Sequence, residues 1–341
     1  MGAGAQFHSI EVAHVQRQTE DTLSLTLSIP ASLADAFRYR SGQFLSVRIP
    51  GPHGALVRSY SLSSSPVCDA APVITVRRVV GGQGSSWLHT HVRAGDPLDV
   101  STPQGRFVLS DSQKDVVMIA GGSGITPCMS MMKTLLATSG RNIHLIYASK
   151  SAGSIIFHDA LHRQRAAFET RLTCHFHISA NHAEDARAVF FARILPEPDR
   201  EYYICGAPAF VESVSRHLTG AGVPAEAIHV EAFSSPGEQQ ATTPVSAIPD
   251  VMLKITLDGS DSRVPVAEGQ TLLDAAMRGA IDVPHSCQSG HCGACMAMLR
   301  AGSVVQSQES RALSRNEIDR GYVLACQCRA ASAEIWLDYD A

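Results

Sequence analysis

Four cysteines toward the end of the chain restrict its fold more than any other feature. They run Cys287-x4-Cys292-x2-Cys295 inside "CQSGHCGACMAMLR", and Cys326 follows after thirty residues. Four thiolates hold an iron–sulfur cluster, and C-x4-C-x2-C…C is the plant-type [2Fe–2S] spacing. A loop that wraps an anionic cluster must bring backbone amides close to its sulfurs. Gly290, Gly293 and Ala294 leave room for that approach. Zinc sites usually show paired C-x2-C ribbons, whereas here the fourth thiol is remote. His291 lies inside the loop, but four cysteines already suffice, so it is expected to be a solvated loop histidine. Cys328 also stands near Cys326, in "GYVLACQC", which reads as a strand. Spacing rules do not choose between these two as the fourth ligand.

A chain of 341 residues is too long for one ordinary core and suggests two or three domains. Its net charge of -4 argues against nucleic acid as a partner, because phosphate binding needs a basic face. No apolar run approaches the length of a membrane helix. The start "MGAGAQFHSIEVAHVQ" lacks the pattern of a secretory signal. A cytoplasmic location is expected, where nine cysteines serve as ligands or redox groups and not as disulfides. Cys68, Cys128 and Cys174 stand alone and are expected to be small buried apolar residues.

Three segments differ in rhythm. Residues 1–110 hold short alternating or β-branched runs such as "TLSLTLSIP", "GQFLSVRIP" and "VITVRRV", the pattern of an antiparallel barrel, with one helix at "SSWLHTHV". Residues 111–233 alternate strand and helix, which predicts a doubly wound parallel sheet. Residues 234–249, "SSPGEQQATTPVSAIP", read as a linker. Residues 250–341 open with a hairpin and a helix capped by Thr271, with Asp274 at the third helical position, and then hold the cysteines.

The middle segment carries "VVMIAGGSGITP", an apolar strand, a glycine turn and a helix with Pro127 in its first turn. Gly121, Gly122 and Gly124, with Thr126, fit a dinucleotide pyrophosphate at a helix N-terminus. "YYICGAP" ends a later strand with Cys205, Gly206 and Pro208, where a doubly wound sheet faces its ligand. A nicotinamide cofactor gives up two electrons together, and a [2Fe–2S] cluster accepts one. A flavin must stand between them. In "RSYSL", Arg58 can pair with a flavin phosphate, Tyr60 can pack on the ring, and Ser61, beside Ser59, can donate a hydrogen bond. "GGQGSSWL" offers Gly84, Ser85 and Ser86 at a helix N-terminus as a second anion site.

Together these motifs resemble a ferredoxin–NADP reductase-type flavoprotein fused to a plant-type ferredoxin, as in the reductase components of two-component oxygenases. The resemblance covers essentially the whole chain. It implies a multidomain fold: an FAD-binding antiparallel β-barrel, an α/β NAD(P)-binding domain and an α+β β-grasp ferredoxin domain. It implies FAD and not FMN, because FMN members of the related phthalate reductase group lack a segment like "GGQGSSWL". It places Glu231 and Phe233 near the flavin and Cys205 near the nicotinamide. It makes Cys326 the fourth ligand beside Cys287, Cys292 and Cys295. After the second strand of the nucleotide segment, relatives often carry Asn-Arg. This chain has Ser149 and Lys150, with no acid for a ribose hydroxyl. NADH is the family-based expectation and NADPH stays open.

The implied activity is transfer of electrons from NAD(P)H through FAD and the cluster to a partner oxygenase, Rieske or diiron, by a monomer. An alternative is an iron–sulfur protein that senses redox state without a dedicated oxygenase. The presence of both flavin and nicotinamide motifs stands against it.

Overall fold

The computed structural model describes residues 7–51, 54–182, 186–233, 250–281, 283–285, 290, 293–306, 312–313 and 315–341. Cys287, His291, Cys292 and the expected linker 234–249 lie outside them. The chain divides into two units, His8–Ser235 and one built from Met1–Phe7 and Pro236–Ala341.

The first unit opens with β1 (Phe7–Thr19), β2 (Thr22–Ser28), β3 (Phe44–Gly51), β4 (Gly54–Ser61) and β5 (Val73–Arg77), then α1 (Gln83–His91) and β6 (Pro97–Ser101). The sheet order is β4-β3-β6-β1-β2-β5. It closes where Leu62 bridges Ile74, with Ser63 N–H donating to the Val73 carbonyl at 2.8 Å. Alternation along the strands sends Leu25, Leu27, Leu45, Val47, Ile74 and Val76 inward, against Leu88 of α1. Burying each such side chain stabilises by about 1.5–3 kcal/mol. The helix starts two residues before "SSWLHTHV", with Gly82 as its N-cap. Cys68 departs from expectation: it is exposed, because "PVC" turns outward beyond the end of β4 before the chain re-enters at β5. Cys128 and Cys174 are buried as expected.

The same unit continues with β7 (Val116–Gly121), α2 (Ile125–Thr138), β8 (Ile143–Ser149), α3 (His158–Ala167), β9 (Leu172–Ile178), α4 (Ala186–Phe191), β10 (Glu201–Gly206), α5 (Pro208–Gly220) and β11 (Ile228–Ala232). The strands are parallel, in the order β11-β10-β7-β8-β9. The order reverses between β7 and β10, which is where such sheets bind ligands at their carboxyl ends. Helix α2 is buried along most of its length. Met129, Met132 and Leu136 are among its buried residues. Helix α5 instead buries one stripe, Val211, Val214 and Leu218, the i, i+3, i+7 pattern of an amphipathic helix.

The second unit holds β12 (Met252–Leu257), β13 (Ser260–Pro265), α6 (Leu272–Arg278), β14 (Met296–Ala301), β15 (Val304–Gln306), α7 (Arg315–Asp319), β16 (Tyr322–Leu324), β17 (Cys328–Ala330) and β18 (Glu334–Asp338). The first two strands are joined by Asp258-Gly259, both at positive φ, as a two-residue hairpin loop requires. Thr271 caps α6 in a capping box with Asp274. The main sheet runs β13-β12-β18-β14-β16. One face covers α6 through Leu253, Ile255, Ile335 and Leu337. The "GYVLACQC" segment is not one strand. β16 ends at Leu324, Gln327 N–H donates back to the Leu324 carbonyl at 2.9 Å to make a turn, and Cys328 opens β17 in a different sheet. Cys326 therefore sits in a turn and Cys328 on a strand.

Candidate functional site

Two motifs that are about 25 residues apart in sequence meet on the barrel. Strand β4 presents Arg58 and Tyr60, and the first turn of α1 packs onto them at Gly84. A β-carbon on Gly84 would lie 2.8 Å from Arg58 Cγ and 3.4 Å from the Tyr60 hydroxyl. Glycine is what lets the helix start come this close, so the motif order in the sequence reflects contact in space. The Arg58 guanidinium is half-buried, and burial works against its charge. It donates to the Val57 carbonyl at 2.7 Å, and among the described residues no carboxylate pairs with it. A buried cation of this kind fits an anionic group. Burial likewise pushes the Tyr60 phenol up.

The three residues of the helix start divide their work. Ser85 Oγ accepts from Val79 N–H at 3.0 Å and so holds the preceding loop. Ser86 N–H donates to the Gly82 carbonyl within the helix. The backbone N–H groups of Gly84 and Ser85, in the first turn, have no intrahelical acceptor and lie at the positive end of the helix dipole. Ser59 and Ser61 point the other way from Arg58 and Tyr60. Ser59 bonds Ser46 Oγ at 3.3 Å, and Ser61 is buried.

At the end of the parallel sheet, Gly121 and Gly206 lie on the adjacent strands β7 and β10. The Phe210 ring covers both: added β-carbons would lie 3.0 Å and 2.8 Å from its Cδ1. Gly124 packs directly on the Cys205 carbonyl, which an added β-carbon would overlap. These three glycines thus accommodate the protein's own packing. Gly122 differs, with φ of +54° and only Arg77 Nη1 near, at 3.1 Å from where a β-carbon would be. Arg77 comes from β5 of the barrel and is paired with Asp21 at 2.8 Å. Burial works to raise the Asp21 carboxyl, but bonds from Arg77, Thr19 and Thr22 hold it below its usual range. A cation of the barrel therefore stands beside the glycine turn of the parallel sheet. Thr126 Oγ1 donates to the Ser123 carbonyl at 2.9 Å and locks the turn. Pro208 is the first residue of α5, which follows β10 as α2 follows the neighbouring β7.

Cys205 is fully buried on the α2 side of the sheet, in one cluster with Ala120, Ile125 and Cys128. Burial, then the neighbouring Glu231, pushes its thiol well up. Glu231 is its register partner on β11. Phe233 follows, its N–H donating to the Gly206 carbonyl at 2.8 Å, and its ring packs on the same cluster. Ser149 is buried, bonded to Ser154 Oγ at 2.8 Å, while Lys150 is exposed.

In the second unit, Cys295, Cys326 and Cys328 share one buried cluster. Ala325 N–H donates to the Cys295 carbonyl at 3.1 Å, which ties the segments of Cys295 and Cys326 together. The Gln327 amide lies 3.7 Å from Cys326 Sγ as a donor. Gly290 has φ of +78°, and a β-carbon on it would lie 2.9 Å from Gln327 Cγ. The Tyr339 hydroxyl is buried with no hydrogen-bond partner among the described residues. Burial raises its phenol well above the usual value, with Cys295, Cys326 and Cys328 adding to the shift. Burial raises Cys328 to about 12. A tight glycine, an amide aimed at a thiol and an orphaned hydroxyl beside cysteines fit a cluster that accepts hydrogen bonds. Among the described residues no group of three or more His, Cys, Asp or Glu gathers as a metal site, and Cys287 and Cys292 lie outside them.

Four contributors here carry no sequence signal. Arg77 is one of two adjacent arginines at the end of an ordinary strand, Phe210 a helix aromatic, Gln327 a polar residue between cysteines, and Tyr339 a near-terminal tyrosine.

Family models match in the order the geometry suggests. An oxidoreductase FAD-binding domain matches residues 9–109, an oxidoreductase NAD-binding domain residues 118–216, and a 2Fe-2S iron-sulfur cluster binding domain residues 255–331. The chain is 33% identical over 344 residues to the ferredoxin reductase component of 3-ketosteroid-9-alpha-monooxygenase of Rhodococcus rhodochrous, covering 98% of each. It is 28% identical to the reductase subunit of glycine betaine monooxygenase of Pseudomonas aeruginosa, over 97% of this chain and 95% of that one. Among solved structures it resembles phthalate dioxygenase reductase, a modular structure for electron transfer from pyridine nucleotides to [2Fe–2S]. The TM-score is 0.64 at 27% identity, over 97% of this chain and 98% of that one. No helix among the described residues is long and apolar enough to cross a membrane. The chain belongs to the family of ferredoxin reductase components, oxidoreductases that join an FAD-binding, an NAD-binding and a 2Fe-2S-binding domain in one polypeptide.

Proposed function

We propose that this reductase takes electrons from NADH, in preference to NADPH, and delivers them to a Rieske or diiron terminal oxygenase. The domains are 1–110 for FAD, 111–233 for NAD(P)H, a linker 234–249 and 250–341 for the [2Fe–2S] cluster. The observation that carries the reading is the meeting of Arg58 and Gly84, a half-buried guanidinium beside an open helix start, in a chain whose relatives include monooxygenase reductase components.

When bound, FAD supplies the exchange between a two-electron donor and a one-electron carrier, and the cluster supplies the one-electron carrier. The chain's own residues bind and orient. Arg58 holds a flavin phosphate, Tyr60 packs on the ring, and the N–H groups of Gly84 and Ser85 receive the pyrophosphate, with Ser59, Ser61 and Ser86 supporting them. Gly122, Thr126 and the start of α2 receive the coenzyme pyrophosphate, and Arg77 reaches it from the barrel. Cys205, Gly206 and Pro208, with Gly121 and Gly124, form the wall for the nicotinamide, and Phe233 stands near the flavin. The Cys205 thiol stays neutral there, since its burial holds the proton on. No acid–base residue is required, because hydride transfer depends on orientation. Cys287, Cys292, Cys295 and Cys326 hold the cluster. The protein acts as a monomer in the cytoplasm.

The test is NADH-driven and NADPH-driven reduction of ferricyanide and cytochrome c by the purified protein. NADH-driven reduction of both acceptors, with a higher kcat/KM than NADPH, supports the proposal. A protein that holds FAD and cluster but reduces neither acceptor would instead be a redox sensor.

A further inference from the structure

The barrel and the nucleotide sheet are joined by a seam of hydroxyl groups on one face of α2. Ser130, Lys133 and Thr134 fall at i, i+3 and i+4, so they share a face of the helix. All three bond the loop of residues 63–69, which continues directly from the "RSYSL" strand. Ser130 Oγ donates to the Ser64 carbonyl. Lys133 Nζ pairs with Asp69 at 2.9 Å, and the same carboxylate accepts Ser65 N–H at 2.6 Å.

Thr134 is the centre of the seam. Its Oγ1 donates to the Ser130 carbonyl at 3.0 Å and lies 2.5 Å from Ser41 Oγ and 2.7 Å from Ser65 Oγ. A hydroxyl has one donor hydrogen and two acceptor lone pairs. The hydrogen goes to Ser130, so Ser41 and Ser65 both donate to Thr134. Ser65 in turn accepts Val67 N–H at 3.2 Å. Every hydrogen-bonding capacity of Thr134 is used. Ser65 is 0% exposed and Ser41 5%, so loss of the acceptor strands two buried donors.

The seam lies between the strand proposed to bind flavin and the helix proposed to bind the dinucleotide. Loop 63–69 leaves the strand of Arg58 and Tyr60, and α2 begins at the glycine turn. We infer that Thr134, with Ser130, is a positioning residue: it fixes the distance between the flavin strand and the dinucleotide helix, and so the approach of nicotinamide to flavin. Thr134 itself bonds Ser41, Ser65 and Ser130, none of them a residue proposed to bind flavin or dinucleotide. The inference rests on the reading that NAD(P)H reduces a flavin held by the barrel. Hydride transfer needs its atoms closely aligned, and a misplacement of about 1 Å costs on the order of 100-fold.

The experiment is anaerobic stopped-flow reduction of the bound flavin by NADH in T134V, S130A and T134S holoproteins. Limiting rate and apparent NADH dissociation constant are separated by varying NADH. T134V and S130A are expected to lower the limiting rate about tenfold or more, with the dissociation constant within about twofold of wild type. T134S, which keeps the hydroxyl, is expected within about twofold of wild type in both. Wild-type limiting rates in T134V and S130A would overturn the inference. So would a loss confined to the dissociation constant, or a T134S protein as slow as T134V. If T134V does not retain FAD, S130A decides alone, and a wild-type rate there overturns the inference. A wild-type flavin that neither NADH nor NADPH reduces would overturn the functional reading and this inference together, and it is seen without any variant.

Discussion

Gly84 stands so close to Arg58 that a β-carbon on it would lie 2.8 Å from the arginine Cγ. The two residues depend on each other. Arg58→Ala should weaken flavin retention by about 1.5–3 kcal/mol, the usual cost of a charged hydrogen bond. Gly84→Val should do the same by pushing the arginine aside and blocking the helix start. Equilibrium dialysis of FAD checks both. Iron content should match that of the wild-type protein, because Cys287, Cys292, Cys295 and Cys326 belong to the other unit. FAD occupancy equal to wild type on dilution would reduce Arg58 to a strand arginine.

Arg77 should act on coenzyme binding and not on flavin content. Its Nη1 stands beside Gly122 while Asp21 holds the rest of the guanidinium. Arg77→Ala is expected to raise the NADH dissociation constant about tenfold, near the low end of what a charged hydrogen bond contributes. A fluorescence or difference-absorbance titration reads it. An unchanged constant would leave Arg77 as a brace for Asp21.

The glycine turn at Gly122, the capping box at Thr271 and the hairpin at Asp258-Gly259 are legible in sequence, because each rests on local backbone rules that hold wherever they occur. The meeting of Arg58 with Gly84 is legible only as two separate motifs, since no periodicity reports which strand a helix covers. The turn at Cys326 reads as strand because "YVLACQC" is largely apolar. The chain must nevertheless leave the sheet there for Cys328 to pair with Gln306. Cys68 misleads for a related reason: a small thiol carries no mark of whether its loop faces core or solvent. Arg77, Phe210 and Tyr339 act through tertiary contacts alone, so nothing in their neighbourhoods announces them.

Tyr339 offers a test in the cluster unit that does not depend on turnover. Its hydroxyl is buried without a partner among the described residues, in the same cluster as the cysteines. A donor aimed at cluster sulfur favours the reduced, more negative state. Tyr339→Phe should lower the midpoint potential by roughly tens of millivolts, where a tenfold change corresponds to about 59 mV for one electron. Spectroelectrochemistry measures it. An unchanged potential would show that the hydroxyl faces away from the cluster.

The choice of Cys326 over Cys328 has a structural setting. Cys326 lies in the turn, with the Gln327 amide near its sulfur, while Cys328 is packed on a strand with its thiol pushed up to about 12 by burial. Cys326→Ser should remove the visible cluster bands and the EPR signal of the reduced protein. Cys328→Ser should keep both, losing only packing. The reverse pattern would move the ligand to Cys328.

Electrons cross from coenzyme to cluster within one chain, and this crossing can be followed directly. The measurement is an anaerobic titration of the purified holoprotein with NADH, read by flavin absorbance and by low-temperature EPR. The expected result is one FAD and a two-iron cluster per chain, flavin bleaching, and a [2Fe–2S] EPR signal that grows as NADH is added. Flavin bleaching with an EPR-silent cluster, or a four-iron cluster in place of the two-iron one, would contradict it.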